Sequence, residues 1–169
     1  MSVQWQRIAE LYEPDAERHG EACARELGLD CPIEVFGQLF HEHHLDAEFA
    51  ELYCAVDWSR VEWSLESLSG VQWRQVSVDR GYQYAVDEAR WRTVEEGVSD
   101  ERVAVVAHWG EAGTWLVPPV LVTGEVLGNS LRYECLVGFT RLGNLLGLLD
   151  RGTLPETARH EAWVGRLSG

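Results

Sequence analysis

The stretch "LVGFTRLGNLLGLLDRG", residues 136–152, constrains this chain more than any other. An apolar run ends in Gly138, a lone Arg141 follows, and a leucine-rich segment begins. Leu142, Leu145, Leu146 and Leu149 stand at i, i+3, i+4 and i+7, the spacing of one buried helix face. Gly143 and Gly147 lie four apart beside that face. Glycine within a helix costs about 1 kcal/mol, so a close neighbour is expected at both, and the adjoining sheet is the neighbour this reading assigns. A strand, a glycine turn and a buried helix in succession imply a sheet covered by helices.

The residues before it supply the sheet. "LRYECLV" alternates, with Leu131, Tyr133, Cys135 and Val137 on one face and Arg132 and Glu134 on the other. "TWLVPPVLVTG" ends in a short apolar strand, its prolines at the start where a ladder tolerates them. Gly128, Asn129 and Ser130 supply turn chemistry between the two. Residues 117–123 and 131–137 should therefore pair antiparallel, and "HEAWVGR" near the end reads as one more strand.

Upstream the pattern is helical. Residues 2–28 read as two helices, with Pro14 in the first turn of the second and Gly28 stopping it. A third begins after Cys31 at Pro32, carrying Val35, Phe36, Leu39 and Phe40. "HEHHLD" interrupts it, and Leu45, Phe49, Leu52, Tyr53 and Val56 resume a helical face. Trp58, Val61, Trp63 and Leu65 suggest an extended piece ending in a turn at Ser69–Gly70, and "VQWRQVSV" fits strand or helix. "YQYAVDEARWRTVEEG" reads as a helix closed by Gly97. "SDERVAVVAHWGEAG" reads as another, capped by Ser99. The expectation is an α+β protein, residues 1–169 forming one globular unit. A mainly helical part, 1–97, packs on a small mixed sheet with helices in 98–169.

Of the 169 residues, 28 are acidic and 14 basic, for a formal net charge of -14. Every basic side chain is arginine, a bias that a GC-rich genome also produces. Such a surface repels a phosphate backbone, disfavours nucleic acid and favours a basic partner. No basic n-region precedes an apolar segment at the start, and no apolar run approaches about 18 residues, so a cytoplasmic protein without membrane association is expected. The four cysteines form no CxxC pair and are expected as buried thiols. Core filling is the first expectation for each of the eight tryptophans, but with so many some should be partly exposed, a mild sign of a binding surface.

The turn at Gly138 carries the sharpest chemical possibility. Unpaired backbone N–H groups point outward at a helix start, and an adjacent arginine adds a bidentate charge, a combination suited to phosphate or carboxylate. Pairing of Arg141 with an acid is the plain alternative. Residues 98–166 resemble the ParB/sulfiredoxin-like superfamily in element order and in "GFTR", the Gly-x-x-Arg turn opening a helix. The resemblance implies that Gly138, Thr140 and Arg141 hold nucleotide phosphates. The turn departs from the family at Phe139 and Thr140, where polar or catalytic groups are usual, so sulfiredoxin-type chemistry is not expected.

Five further residues are candidate neighbours of that corner: His108, Trp109, Trp115, His160 and Glu161. A His108–Glu161 pair is a general acid–base arrangement on paper. His41, His43 and His44 in "HEHHLD" have i, i+2, i+3 spacing, poor for one ion, whereas helical zinc sites use i, i+4. No metal, no cofactor and no catalytic residue is therefore assigned. Two function classes remain: a non-enzymatic acidic protein binding a basic partner, of the immunity or antitoxin type, and a ParB-like nucleotide-binding or nucleotide-processing domain using Gly138 and Arg141.

Overall fold

A computed structural model describes residues 3–98 and 103–169. Eight α-helices and five strands form among these residues, in the class expected, α+β. Helices α1 (Val3–Glu10), α2 (Ala16–Leu27), α3 (Ile33–Phe36) and α4 (Ala47–Leu52) come first, α3 running into a π-helical turn at Gly37–His41. Strand β1 (Val61–Ser69), α5 (Gly70–Trp73), β2 (Val76–Val78), α6 (Gln83–Glu96) and α7 (Val103–Ala112) follow. β3 (Val120–Val122), β4 (Tyr133–Val137), α8 (Phe139–Asp150) and β5 (Arg159–Leu167) complete the chain. None of these helices is long and apolar enough to cross a membrane.

The sheet has the order β1-β5-β3-β4-β2 and is mixed. β1 pairs antiparallel with β5, and β3 with β4, while β5–β3 and β4–β2 are parallel. β1 and β2 thus bring residues 61–69 and 76–78 into the same sheet as the later strands. The boundary anticipated at 97/98 falls between α6 and α7, and the sheet takes strands from both sides of it.

Both faces of the sheet are covered. On one, Val120, Val122, Leu136 and Val137 pack with Trp5, Ile8, Phe36, Phe40, Phe49 and Trp58 of the N-terminal helices. On the other, Leu121, Tyr133, Cys135 and Val164 pack with Trp73, Val86, Trp115 and the leucines of α8. The expected β4 pattern needs a correction here. A register shift between Val120 and Leu121 sends Val137 to the face opposite Cys135, joining Leu136. Leu131 lies before the strand and is 41% exposed.

Helix α8 is buried from Leu142 to Leu149, as a helix apolar all round should be. Its glycines face α6, not the sheet. A Cβ on Gly143 would meet Ala89 Cβ at 2.7 Å, and one on Gly147 would meet Thr93 Cβ at 2.6 Å and the Arg90 carbonyl at 2.7 Å. Between them Thr93 Oγ1 donates to Asn144 Oδ1 at 2.7 Å, both side chains buried. The missing side chains let two helix backbones approach closely enough for that bond.

Other local expectations also shift. Asp15, not a first-turn Pro14, opens α2, its carboxylate accepting from Arg18 N–H at 3.0 Å. Gly28 closes α2 in the left-handed region at φ 68°. Leu45 sits in the turn before the Asp46 cap and is 75% exposed, and Leu52 is exposed as well. Ser69 does not make a simple turn. It forms a reciprocal capping box with Gln72 that starts α5. The expected Ser99 cap lies outside the described residues. Of the cysteines, all free, Cys23 and Cys135 are buried, but Cys54 is exposed.

Candidate functional site

The strand–helix corner is built around a folded-back arginine. Gly138 caps α8 with φ 101°, a conformation L side chains rarely adopt. A Cβ there would meet Pro119 Cβ at 2.7 Å and Arg141 Nε and NH2 at 3.0 Å. The guanidinium therefore lies over the glycine. Its NH1 donates to the Val117 carbonyl at 2.6 Å and its NH2 to Gln38 Oε1 at 2.7 Å. Gln38 in turn donates through Nε2 to the Glu34 carbonyl at 3.1 Å and the Pro118 carbonyl at 3.2 Å. Arg141 thus ties α8, the entry to β3 and the π turn together, and Thr140 beside it is exposed. Gln38 had escaped notice in the sequence, where its one signal is a lone amide within "VFGQLF".

The aromatic residues proposed as neighbours of the corner form a separate cluster. Trp109 stacks on His160 with centroids 5.6 Å apart, and Trp115 contacts both at 5.4 and 5.3 Å. Trp115 also packs on Trp73 and donates to the Glu161 carbonyl at 2.7 Å. His160 Nδ1 is 3.3 Å from Thr114 Oγ1, and its Nε2 is buried without a partner. Burial lowers its pKa and keeps the ring neutral. His108 and Glu161 share no hydrogen bond or ion pair, and the Glu161 side chain is exposed.

The histidines of "HEHHLD" split. His43 stacks on Phe49 and sits 3.3 Å from Asp46. His41 and His44 join Tyr12 and buried His19. The ring nitrogens have a fixed order. The Ile8 carbonyl, 2.9 Å from His19 Nε2, can only accept, so Nε2 carries hydrogen. Neutral His19 then presents an acceptor at Nδ1, and His41 Nδ1, 3.1 Å away, must donate. His44 Nδ1 donates to the His41 carbonyl at 2.7 Å. No group of three His, Cys, Asp or Glu among the described residues is arranged to hold a metal ion.

The acidic excess and the exposed aromatics meet on α6. Tyr84, Asp87, Glu88, Trp91 and Glu95 follow i, i+3, i+4, i+7, i+11 spacing on one face, all exposed. Tyr84 is 69% exposed and Trp91 63%, while Val86, Ala89 and Thr93 fill the opposite, buried face. Trp5, Trp58, Trp73 and Trp115 are core residues by contrast. Several arginines are already paired within the chain: Arg92 by Glu88 on the same helix, and Arg90 and Arg74 by Asp150 and Arg166 by Glu66 across 60 or more positions. No family model, characterised protein or solved structure matches this chain, so the ParB-like resemblance rests on its turn and element order alone.

Proposed function

We propose that this chain is a non-enzymatic cytoplasmic binding protein whose partner is a basic protein. The exposed α6 face carries this reading. Trp and Tyr at the centre of a patch supply large contact area at low entropic cost, and acids around them select a positive partner. The net charge of -14 extends that preference over the surface and opposes nucleic acid and anionic membrane. The use of Arg141 to bond Gln38 and the Val117 carbonyl supports this reading over nucleotide binding. An inhibitor of the immunity or antitoxin type is the kind of protein this describes.

The test is purification of the untagged chain from its own cells, with identification of what co-elutes, followed by association kinetics of the reconstituted pair. Association should slow as salt rises, because steering between opposite charges is screened beyond about 8–10 Å. Trp91→Ala should weaken the complex by about 30-fold, the scale of a central aromatic anchor, without changing the melting temperature. A salt-independent complex unaffected by Trp91→Ala would refute the assignment.

A further inference from the structure

Strand β1 forms one edge of the sheet and is nine residues long, whereas β2 at the other edge has three. A long edge strand presents a row of unpaired backbone groups that another strand can join, and lysine, proline or a bulge commonly blunts it. β1 contains no lysine or proline, and its register with β5 runs unbroken from Val61 to Ser69.

The bonds at its two ends fix which groups point outward. Before the strand, Ser168 N–H donates to the Arg60 carbonyl at 2.8 Å, and after it Gly70 N–H donates to the Ala158 carbonyl at 3.1 Å. Bonded pairs alternate in an antiparallel ladder. Glu62, Ser64, Glu66 and Leu68 therefore turn their backbone groups to β5, and Val61, Trp63, Leu65 and Ser67 turn theirs to the open side. The chain itself closes both ends of that side. Val61 N–H donates to the Trp58 carbonyl, the Arg159 guanidinium donates to the Ser67 carbonyl, and Ser69 N–H donates to Gln72 Oε1 at 3.0 Å. Among the described residues this leaves open the N–H groups of Trp63, Leu65 and Ser67 and the carbonyls of Val61, Trp63 and Leu65.

We propose that a second copy of this chain pairs here, β1 against β1 and antiparallel, about a two-fold axis between the two Ser64 residues. The open set is complementary to itself about that axis. Trp63 of each copy exchanges both bonds with Leu65 of the other, and Ser67 N–H reaches the opposing Val61 carbonyl. The groups this register leaves over, Val61 N–H and the Ser67 carbonyl, are those already satisfied within the chain. Centring the pair on Leu65 would instead set the Trp63 N–H against the Ser67 carbonyl that Arg159 holds.

The side chains agree with this occupant. Leu65 is 44% exposed beside Trp163, its register partner on β5. In the pair it gains Trp63 of the second copy as a cross-strand neighbour. On the other face Glu62 and Glu66 are balanced by Arg60 and Arg166, a neutral strip on a chain of net charge -14. Arg166 holds Glu66 through both terminal nitrogens, and exposed Arg60 has no ion pair among the described residues. Two copies can meet along this strip without setting bare acids together. Glu62 comes opposite Glu66 of the second copy, whose carboxylate its own Arg166 shares, and Arg60 lies diagonal to that carboxylate. The residual repulsion between Glu62 and Glu66, and between the two acidic bodies, makes the dimer weak and tightens it as salt rises.

The intact chain should sediment as a monomer–dimer equilibrium over the micromolar range, tighter at high salt. Amide exchange at Trp63, Leu65 and Ser67 should slow as concentration rises, while Ser64 and Glu66 are protected throughout. Opposed Ser64 residues form a non-hydrogen-bonded pair with Cα atoms about 4.5 Å apart, within the span of a disulfide. Ser64→Cys, in a Cys54→Ser background to remove the exposed thiol, should cross-link under oxidised glutathione, and Leu65→Cys should not. Glu62→Gln should tighten the dimer about fivefold by relieving two symmetric like-charge contacts. Leu65→Pro removes only an outward N–H, so it should abolish the dimer while keeping the fold. If that variant fails to fold, the exchange and cross-linking results still decide. A chain monomeric at all concentrations, with fast exchange at Trp63 and Leu65 and no Ser64→Cys cross-link, would overturn the pairing. So would a dimer that leaves those amides unprotected. Cross-linking through Leu65→Cys but not Ser64→Cys would overturn the register. Protection of the edge amides only by a different protein would give the edge to that partner and also refute the proposal. None of these outcomes bears on the basic-partner reading, whose association slows with salt.

Discussion

Replacing Gly147 by alanine tests the packing of α8 with a sign that intuition about helices gets wrong. In an exposed helix the change should stabilise by about 1 kcal/mol, because alanine loses less backbone entropy on folding. Here the new methyl would stand 2.6 Å from Thr93 Cβ and 2.7 Å from the Arg90 carbonyl. Both positions are about 1 Å inside ordinary carbon contact, and both belong to or adjoin the backbone of α6. The helix cannot retreat, since its other face carries Leu142, Leu145 and Leu149 against the sheet. Overpacking of this kind costs about 1–3 kcal/mol, and a backbone obstruction belongs in the upper half of that range. Subtracting the propensity gain leaves a net loss of about 1–2 kcal/mol. For a chain of this size that lowers Tm by about 2–8 °C. Gly110 on α7 is the internal control, because a Cβ there meets nothing within 4 Å. Gly110→Ala should raise Tm by up to about 4 °C. Urea unfolding and thermal melts of the two variants settle the matter. Equal stabilisation by both changes would show that α6 and α8 are not packed through Gly147.

Three further outcomes follow from the same geometry. Leu145→Ala, at a fully buried position, should cost about 2–5 kcal/mol in urea, and an unmoved midpoint would mean that the core face of α8 is wrong. Burial, with smaller contributions from His41 and His44, depresses the pKa of His19 against the opposing Ile8 carbonyl and Glu13. The neutral ring therefore contributes stability that is fully present above the unfolded value, about 6.5, and is lost as pH falls through the folded one. His19→Gln, whose amide can still donate to the Ile8 carbonyl, should lose less stability than the parent between pH 7.5 and 5.5, and equal losses would remove His19 from the account. Arg141→Ala should cost about 2 kcal/mol by stranding Gln38 and the Val117 carbonyl, while nucleoside triphosphate should leave Tm of the parent unchanged. A concentration-dependent rise that vanishes in the variant would favour the nucleotide reading.

What could be read ahead of the structure was what local pattern encodes. Alternation in "LRYECLV" gave the β3–β4 pairing, the leucine spacing gave α8, and Gly28 and Gly97 marked helix ends. The failures come from pairings distant in sequence. Val137 was read on the face of Cys135 because nothing nearby in sequence marks the register shift against β3 that turns it to the other side. Gly143 and Gly147 signalled a close neighbour but could not say whether it was sheet or helix. Gln38 meets Arg141 across 103 positions, and no periodicity records such a bond. Tyr53 had the spacing of a core residue, which it is. Only the structure shows that its buried hydroxyl lacks a hydrogen-bond partner. The candidate corner was thus visible as a motif, while the partner that holds its arginine was not.

A ring contact joins the corner to the start of α6, and this bears on how "GFTR" should be understood. Phe139 opens α8, and its ring stacks on Tyr82 at the start of α6, 4.6 Å away. Arg141, two residues on, fixes the opposite side of the same turn to Gln38 and to the carbonyls before β3. An arginine swung outward to a phosphate would have to leave these acceptors, and the space over Gly138 that it fills would open. The positively charged side chain thus holds the start of α8 in place, and with it Phe139 and Tyr82. A positive charge used inward at this joint is withdrawn from the outer surface. That arrangement suits a protein that offers negative charge to a partner and keeps its own arginine for the frame.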